Sequence, residues 1–157
     1  MDKQDWGNPK RLWGIEPRYE AGRMIDIHLA IKDLPIESVV DIACGHGIIL
    51  DGLWWKNQHL KCEQFDIEEY PEWKNLQIEP NVTDLMDFIK EDRKYDLVLF
   101  LNAYRNWDAE PKENFNQWLK RNAKYFISSN PDDEGPSDNW SLIGRDAKGY
   151  ELKLYTL

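Results

Sequence analysis

Short apolar runs rich in β-branched residues alternate along this chain with stretches in which apolar residues recur every three or four positions. This alternation predicts a parallel sheet covered by helices. The predicted strands are 38–43, 61–66, 76–79, 96–101 and 125–129. The predicted helices are about 17–33, 48–55, 84–89 and 111–122. Strand 96–101 is the most continuous apolar run, so we expect it in the middle of the sheet.

The two ends of the chain depart from this alternation. Residues 1–16 are rich in Trp, Gly and Pro without a regular period, which predicts an irregular arm ahead of one domain of residues 17–157. Segments 140–143 and 150–156 alternate polar and apolar positions, which predicts an antiparallel hairpin at the sheet edge. The expected fold class is therefore α/β, doubly wound, with a mostly parallel sheet and a C-terminal hairpin.

A glycine-containing loop joins the first predicted strand to the helix after it. Residues 39–47 read Val-Val-Asp-Ile-Ala-Cys-Gly-His-Gly. A strand, a glycine turn and a helix in this order bring backbone N–H groups to the carboxyl edge of the sheet, which is a general site for a nucleotide-like ligand. Gly45 and Gly47 allow close approach of the ligand to the backbone. By itself the glycine pair also fits a tight turn that holds nothing.

Two carboxylates strengthen the interpretation of the loop as a ligand site. Asp41 lies inside the end of the first strand, where burial is costly unless the carboxylate bonds to the loop or to a ligand. Asp66 ends the second strand, about 20 residues past the loop, a spacing that suits a carboxylate accepting both ribose hydroxyls. The alternative for Asp66 is an ordinary charged strand end beside Glu68 and Glu69.

The 39–47 segment resembles the first motif of class I S-adenosylmethionine (SAM)-dependent methyltransferases, and the resemblance covers about residues 36–130. It implies a Rossmann-like methyltransferase fold, methyl-transfer activity and SAM as cofactor. It also implies that the loop holds the methionine moiety, that Asp66 takes the ribose, and that residues after the third strand, including Asp84 as a second choice, contact adenine. The predicted cofactor residues are Asp41, Ala43, Cys44, Gly45, Gly47, Asp66, Ile67, Asn81, Val82 and Asn102.

The rival cofactor is a dinucleotide. Its loop requires a third glycine three residues after Gly47, where this chain has Leu50. Asp41 would face a pyrophosphate with like charge, whereas it favours an ammonium or sulfonium group. Both features argue for SAM.

Residues after the fourth strand are the candidates for the acceptor side of the reaction. Asn102 can bond the acceptor or the methionine group, Tyr104 can wall the pocket with Trp107, and Arg105 can pair with an anionic substrate. Asn102, Tyr104 and Arg105 are our predicted catalytic residues. Their alternatives are a helix cap for Asn102, core packing for Tyr104 and a surface ion pair for Arg105.

Other residues near the loop and at the front have structural interpretations. We expect His46 to shape the loop rather than act as a base, and Cys44 to pack as a small side chain because no partner base is identifiable. The aromatic and basic segment 6–23 fits either a lid over the acceptor or a packing arm. Within it, Arg18 or Arg23 can reach the carboxylate of the cofactor.

Composition limits the partners. The net charge of −9 repels phosphate backbones, so a small-molecule or protein acceptor is expected rather than nucleic acid. No apolar run approaches the roughly 20 residues of a membrane span, and two unclustered cysteines favour a cytoplasmic protein without a metal site. A homo-oligomer is compatible with the sequence. The alternative function is a non-catalytic SAM-binding or regulatory domain with the same fold.

Overall fold

A computed structural model describes residues 17–101, 108–129, 135–145 and 149–157, with the side chains of residues 17–21 excepted. Its helices are α1 (Pro17–Ile31), α2 (Ile48–Lys56), α3 (Leu85–Phe88) and α4 (Ala109–Asn122), with a 3-10 helix at Pro71–Asn75. Its strands are β1 (Ser38–Ile42), β2 (Lys61–Asp66), β3 (Asn81–Val82), β4 (Tyr95–Leu99), β5 (Ala123–Ser129), β6 (Trp140–Arg145) and β7 (Glu151–Thr156).

Within the described residues the strands form one seven-stranded sheet in the order β3-β2-β1-β4-β5-β7-β6. The first five are parallel, while β7 is antiparallel to both β5 and β6. The predicted fold class is confirmed, with β4 in the middle and the C-terminal hairpin at the edge. The order reverses between β1 and β4, which is the point at which doubly wound sheets bind ligands outside the carboxyl ends of their strands.

Successive residues of each strand supply two separate cores. Val39 and Leu97 pack with α1 and α2 on one face, whereas Val40 and Val98 pack with α3 and α4 on the other. The second face is rich in aromatic rings, and its centre is the stacked pair Phe115 and Trp118. Burial on both faces explains why the central strands read as continuous apolar runs.

The predicted third strand is wrong. Residues 76–79 are not in the sheet, and β3 is the two-residue strand Asn81–Val82, which pairs with Phe65 and Asp66 of β2. The prediction also missed the 3-10 helix before it. A second difference concerns α3. The sequence predicts a buried face of Leu85, Met86, Phe88 and Ile89, but Met86 is 39% exposed and Phe88 is the buried residue. The cap of α3 is Asp84, whose side chain accepts the N–H of Met86.

No helix in the described part of the chain combines the length and apolar character that a membrane span requires. Among the same residues, no group of three or more His, Cys, Asp or Glu is arranged to hold a metal ion.

Candidate functional site

The loop between β1 and α2 is built from alternate residues with positive φ. The φ angles are +55° at Ala43, +59° at Gly45 and +78° at Gly47. Glycine adopts this region at no steric cost, so Gly45 and Gly47 are suited to their positions, while Ala43 carries a Cβ there. A Cβ added to Gly45 would have no atom within 4 Å, whereas one added to Gly47 would lie 2.6 Å from Leu76 Cδ1. Gly45 is thus the point where the loop backbone can be approached from outside.

Three N–H groups of the loop are already bonded within the protein. The N–H of Cys44 donates to the carbonyl of Phe65 at 3.0 Å, that of Gly45 to Asp66 Oδ2 at 2.9 Å, and that of Gly47 to the carbonyl of Cys44 at 3.0 Å. A loop that cradles a phosphate presents such N–H groups to its ligand. These three N–H groups therefore stabilise the conformation of the loop and are not presented to a phosphate.

Asp66 links the loop to the end of β2. It is 5% exposed, and its second oxygen, Oδ1, accepts the N–H of Glu68 at 3.1 Å. A carboxylate offers about four lone-pair sites, so two backbone donors leave capacity for further hydroxyl donors. The sequence predicted Asp66 as a ligand residue, and its role in anchoring Gly45 is an addition from the structure.

Two buried carboxylates act on the loop. Asp41, near the end of β1, is 3% exposed, and it lies close enough to Cys44 to affect the pKa of that thiol, as does Asp66. Burial, reinforced by Asp41 and then Asp66, raises the pKa of the Cys44 thiol far above its ordinary range. Burial and Asp66 likewise raise the pKa of Tyr70. Cys44 therefore stays a protonated thiol, in keeping with its expected packing role.

Exposed apolar side chains lie beside Asp66 at the ends of β2 and β3. Ile67 is 47% exposed and Val82 is 57% exposed, and Val82 is the register partner of Asp66. The N–H of Thr83 donates to the carbonyl of Asp66 at 3.0 Å, which holds the two strand ends together. Asn81 and Val82 form β3 itself rather than following it, yet the pairing still brings them to the predicted edge. The structure therefore changes which residues form the third strand, but Asn81 and Val82 still lie beside the end of β2.

The segment between β2 and β3 covers the loop, and we call residues 70–78 the aromatic strap. The Tyr70 ring lies 4.6 Å from the buried His46 ring, and Trp73 Nε1 donates to the Gly45 carbonyl at 2.8 Å. Leu76 lies against Gly47. Sequence reasoning missed this role, although Tyr70 and Trp73 stand three apart around Pro71, a spacing that fits one side of a 3-10 turn.

Several predicted residues fall outside the described part of the chain. These are Asn102, Tyr104, Arg105 and Trp107 after β4, and the arm of residues 1–16. Arg18 belongs to α1, but its side chain is also outside. Arg23 is described and is 3% exposed on the inner side of α1, one turn before the core residue Ile27.

Comparison with known proteins places the fold. No protein-family model and no curated protein matches the chain. Among solved structures, the magnesium protoporphyrin IX methyltransferase ChlM from Synechocystis PCC 6803, solved with bound SAM, is similar with a TM-score of 0.62 and 16% identity over 95% of this chain and 85% of that one. The methyltransferase domain of bacterial CtHen1-CN gives a TM-score of 0.61 and 15% identity over 88% and 100%.

The plantazolicin methyltransferase BpumL, solved in complex with SAH and a desmethylPZN analogue, gives a TM-score of 0.55 and 21% identity over 83% of this chain. The chain spans about half of BpumL, since 52% of that protein is covered. The resemblance noted in the 39–47 segment is therefore confirmed at the level of the fold, which is that of the class I methyltransferases.

Proposed function

We propose that this chain, which has the class I methyltransferase fold, is a SAM-dependent methyltransferase. The observation that carries the proposal is the loop from Ala43 to Gly47, with its open Gly45 backbone between the buried carboxylates of Asp41 and Asp66. The solved methyltransferases with bound SAM or SAH share the fold.

The charge of the site favours a cationic ligand. SAM carries a sulfonium and an ammonium group, and both are attracted by Asp41 and Asp66 in surroundings that water screens poorly. A pyrophosphate would be repelled by Asp41, and the N–H groups of Cys44, Gly45 and Gly47 are used inside the loop. The same features that suit SAM therefore disfavour a dinucleotide.

The adenosine half of SAM fits the ends of β2 and β3. Asp66 has acceptor capacity left for the ribose hydroxyls. Ile67 and Val82 offer exposed apolar surface beside it, of the kind that covers a flat purine ring, and Asn81 adds a polar group. We assign the methionine half to Asp41, Ala43, Cys44, Gly45 and Gly47.

When bound, SAM would supply an electrophilic methyl group for in-line transfer to the nucleophile of the acceptor, with SAH as the leaving group. The chain then needs to align the acceptor and exclude water, and a base is required only for a protonated acceptor. We assign the acceptor side to Asn102, Tyr104 and Arg105, which follow β4 along the chain, and Asn102 can bond either the acceptor or the methionine group. Substituting Tyr104 or Arg105 should lower the turnover rate while the Kd for SAM stays unchanged.

We further propose a small molecule or a protein side chain as acceptor, since the net charge of −9 disfavours nucleic acid. Both cysteines are free, which fits a reducing cytoplasm. An acceptor pocket can also draw surface from a second copy of the chain, so a homo-oligomer is compatible with this activity.

Calorimetry with SAM, SAH and NAD, followed by a labelled-methyl transfer screen, tests the proposal. We expect binding of SAM and SAH, no binding of NAD, and turnover with at least one small-molecule or protein acceptor. SAM binding without turnover on any acceptor would instead favour a non-catalytic SAM-binding domain. Binding of NAD alone would show that the loop serves a dinucleotide.

A further inference from the structure

Both backbone polar groups of Gly45 are hydrogen-bonded to side chains of other elements. Its N–H donates to Asp66 Oδ2 at 2.9 Å, and its carbonyl accepts from Trp73 Nε1 at 2.8 Å. Gly45 has a φ of +59° and no atom within 4 Å of an added Cβ, so its own sterics restrain it weakly. The two hydrogen bonds therefore orient the two peptide groups that flank Gly45: Asp66 fixes the Cys44–Gly45 peptide and Trp73 fixes the Gly45–His46 peptide.

The aromatic strap that carries Trp73 is itself fastened to the elements around the loop. Asp51 Oδ1, on α2, accepts the N–H groups of Gln77 and Ile78 at 2.8 and 3.0 Å. Gln64 Nε2, on β2, donates to the carbonyl of Ile78 at 2.7 Å. Because hydrogen bonds to both α2 and β2 hold the strap, the backbone that carries Trp73 is fixed in place beside Gly45.

We propose that Trp73 is a positioning residue that holds the cofactor loop in its binding conformation. This inference rests on the proposed function. Trp73 is 4% exposed, so the Gly45 carbonyl accepts a hydrogen bond from a buried donor whose position is fixed. Without that donor the Gly45–His46 peptide takes other orientations, and SAM must select the binding one at a cost in affinity.

The substitution Trp73→Phe keeps an aromatic ring but removes the N–H. Trp118→Phe is the matched control, because Trp118 is also buried and its Nε1 donates to a backbone carbonyl, that of Glu91, at 2.9 Å. Both variants lose one indole hydrogen bond and some packing, so both should unfold at lower temperature. We expect Trp73→Phe to raise the Kd for SAM and SAH about tenfold, as the loss of one such hydrogen bond implies, and Trp118→Phe to leave it within about twofold.

Isothermal calorimetry of the wild type and both variants measures the Kd for SAM and SAH and so tests the role of Trp73. Equal Kd values for the two variants, with SAM bound by the wild type, would overturn the role of Trp73 and leave the proposed function standing. A wild type that binds neither SAM nor SAH would overturn both. If Trp73→Phe does not fold, Asp51→Ala, which releases the far end of the strap, takes its place. An increase in Kd of about fivefold then supports the inference, and an unchanged Kd contradicts it.

Discussion

Ala43 is the residue at which the loop departs most from favourable backbone geometry. A non-glycine residue with positive φ is disfavoured by about 1–2 kcal/mol. Glycine avoids this steric cost, but its greater conformational freedom in the unfolded chain offsets about 0.5–1 kcal/mol of the gain in stability. Ala43 is exposed, so no packing depends on its methyl group. The strain at this position is therefore intrinsic to the backbone.

We expect Ala43→Gly to raise the free energy of unfolding by up to about 1 kcal/mol and Ala43→Val to lower it, because β-branched residues tolerate positive φ least. Ala30→Gly, in α1, is the control and should lower the free energy of unfolding. Urea titration measures all three. Equal changes in the free energy of unfolding for Ala43→Gly and Ala30→Gly would show that the positive φ of Ala43 does not destabilise the fold.

Asp66 is expected to matter for both loop geometry and cofactor affinity. Asp66→Ala removes the acceptor for Gly45 N–H and the proposed ribose ligand, so the binding free energy of SAM should weaken by about 1–3 kcal/mol. Glu69→Ala, which removes a nearby exposed carboxylate, should have a small effect. Calorimetry on folded variants provides the comparison. Unchanged affinity in Asp66→Ala would refute the ribose assignment.

For single residues, spacing along the chain predicted the positions of the carboxylates but not the groups that contact one another around the loop. The positions of Asp41 and Asp66 at strand ends follow from the apolar runs before them. The contact of Trp73 with Gly45 does not, since these residues are 28 positions apart and meet only through the conformation of the strap.

At the scale of elements, Asp96 ties together the amino ends of three strands. Its Oδ2 accepts the N–H groups of Glu37 and Ser38 at 2.8 and 3.1 Å, and its Oδ1 lies 3.1 Å from Lys124 Nζ. Burial acts to raise the pKa of Asp96, but the Glu37 and Ser38 N–H donors and Lys124 outweigh it and lower the pKa. The ionised form of Asp96 therefore stabilises the fold.

Because the pKa of Asp96 is lowered in the folded state, its contribution is complete above the unfolded value of about 3.9 and is lost as the pH falls below it. We expect Asp96→Asn to lower the free energy of unfolding at pH 7 by about 1–3 kcal/mol, with a smaller difference from wild type near pH 3. Asp33→Asn, at an exposed site before β1, is the control. A difference that does not shrink in acid would contradict this ionisation argument.

The elements with strong patterns were predicted well. The bounds of β2 match the structure because its apolar end is followed at once by an acidic cluster, and β4 and α4 are long enough for their periods to be clear. The two residues of β3 carry no pattern at all. Leu76 and Ile78 led to the prediction of a strand at 76–79. In the structure both belong to the aromatic strap, where Leu76 contacts Gly47 and the Ile78 carbonyl accepts a hydrogen bond from Gln64 Nε2.

At the scale of the whole molecule, five parallel strands and a terminal antiparallel hairpin form one sheet in the order β3-β2-β1-β4-β5-β7-β6. That order, with its reversal between β1 and β4, is what brings the loop, Asp66 and β3 to one edge. The sequence was sufficient for the fold class, for the central place of β4 and for the terminal hairpin, because these strands carry clear apolar patterns, but it did not predict β3 or the full strand order. It was not sufficient for the acceptor, whose recognition depends on side-chain arrangement rather than on periodicity.

A ligand that binds only the folded chain must protect all of it. At 100 times its Kd, SAM should raise the free energy of unfolding by about 2.7 kcal/mol, and NAD at the same concentration should leave it unchanged. Thermal unfolding followed by circular dichroism tests this for the intact chain. Equal protection by SAM and NAD would mean that the site does not discriminate by charge as we have argued.

The most direct test of the central claim is a crystal structure of the chain with SAH. The account predicts ligand density against the Gly45 and Gly47 backbone, with both ribose hydroxyls within hydrogen-bond distance of the Asp66 carboxylate. Density for SAH at another place on the molecule, or none at saturating concentration, would contradict it.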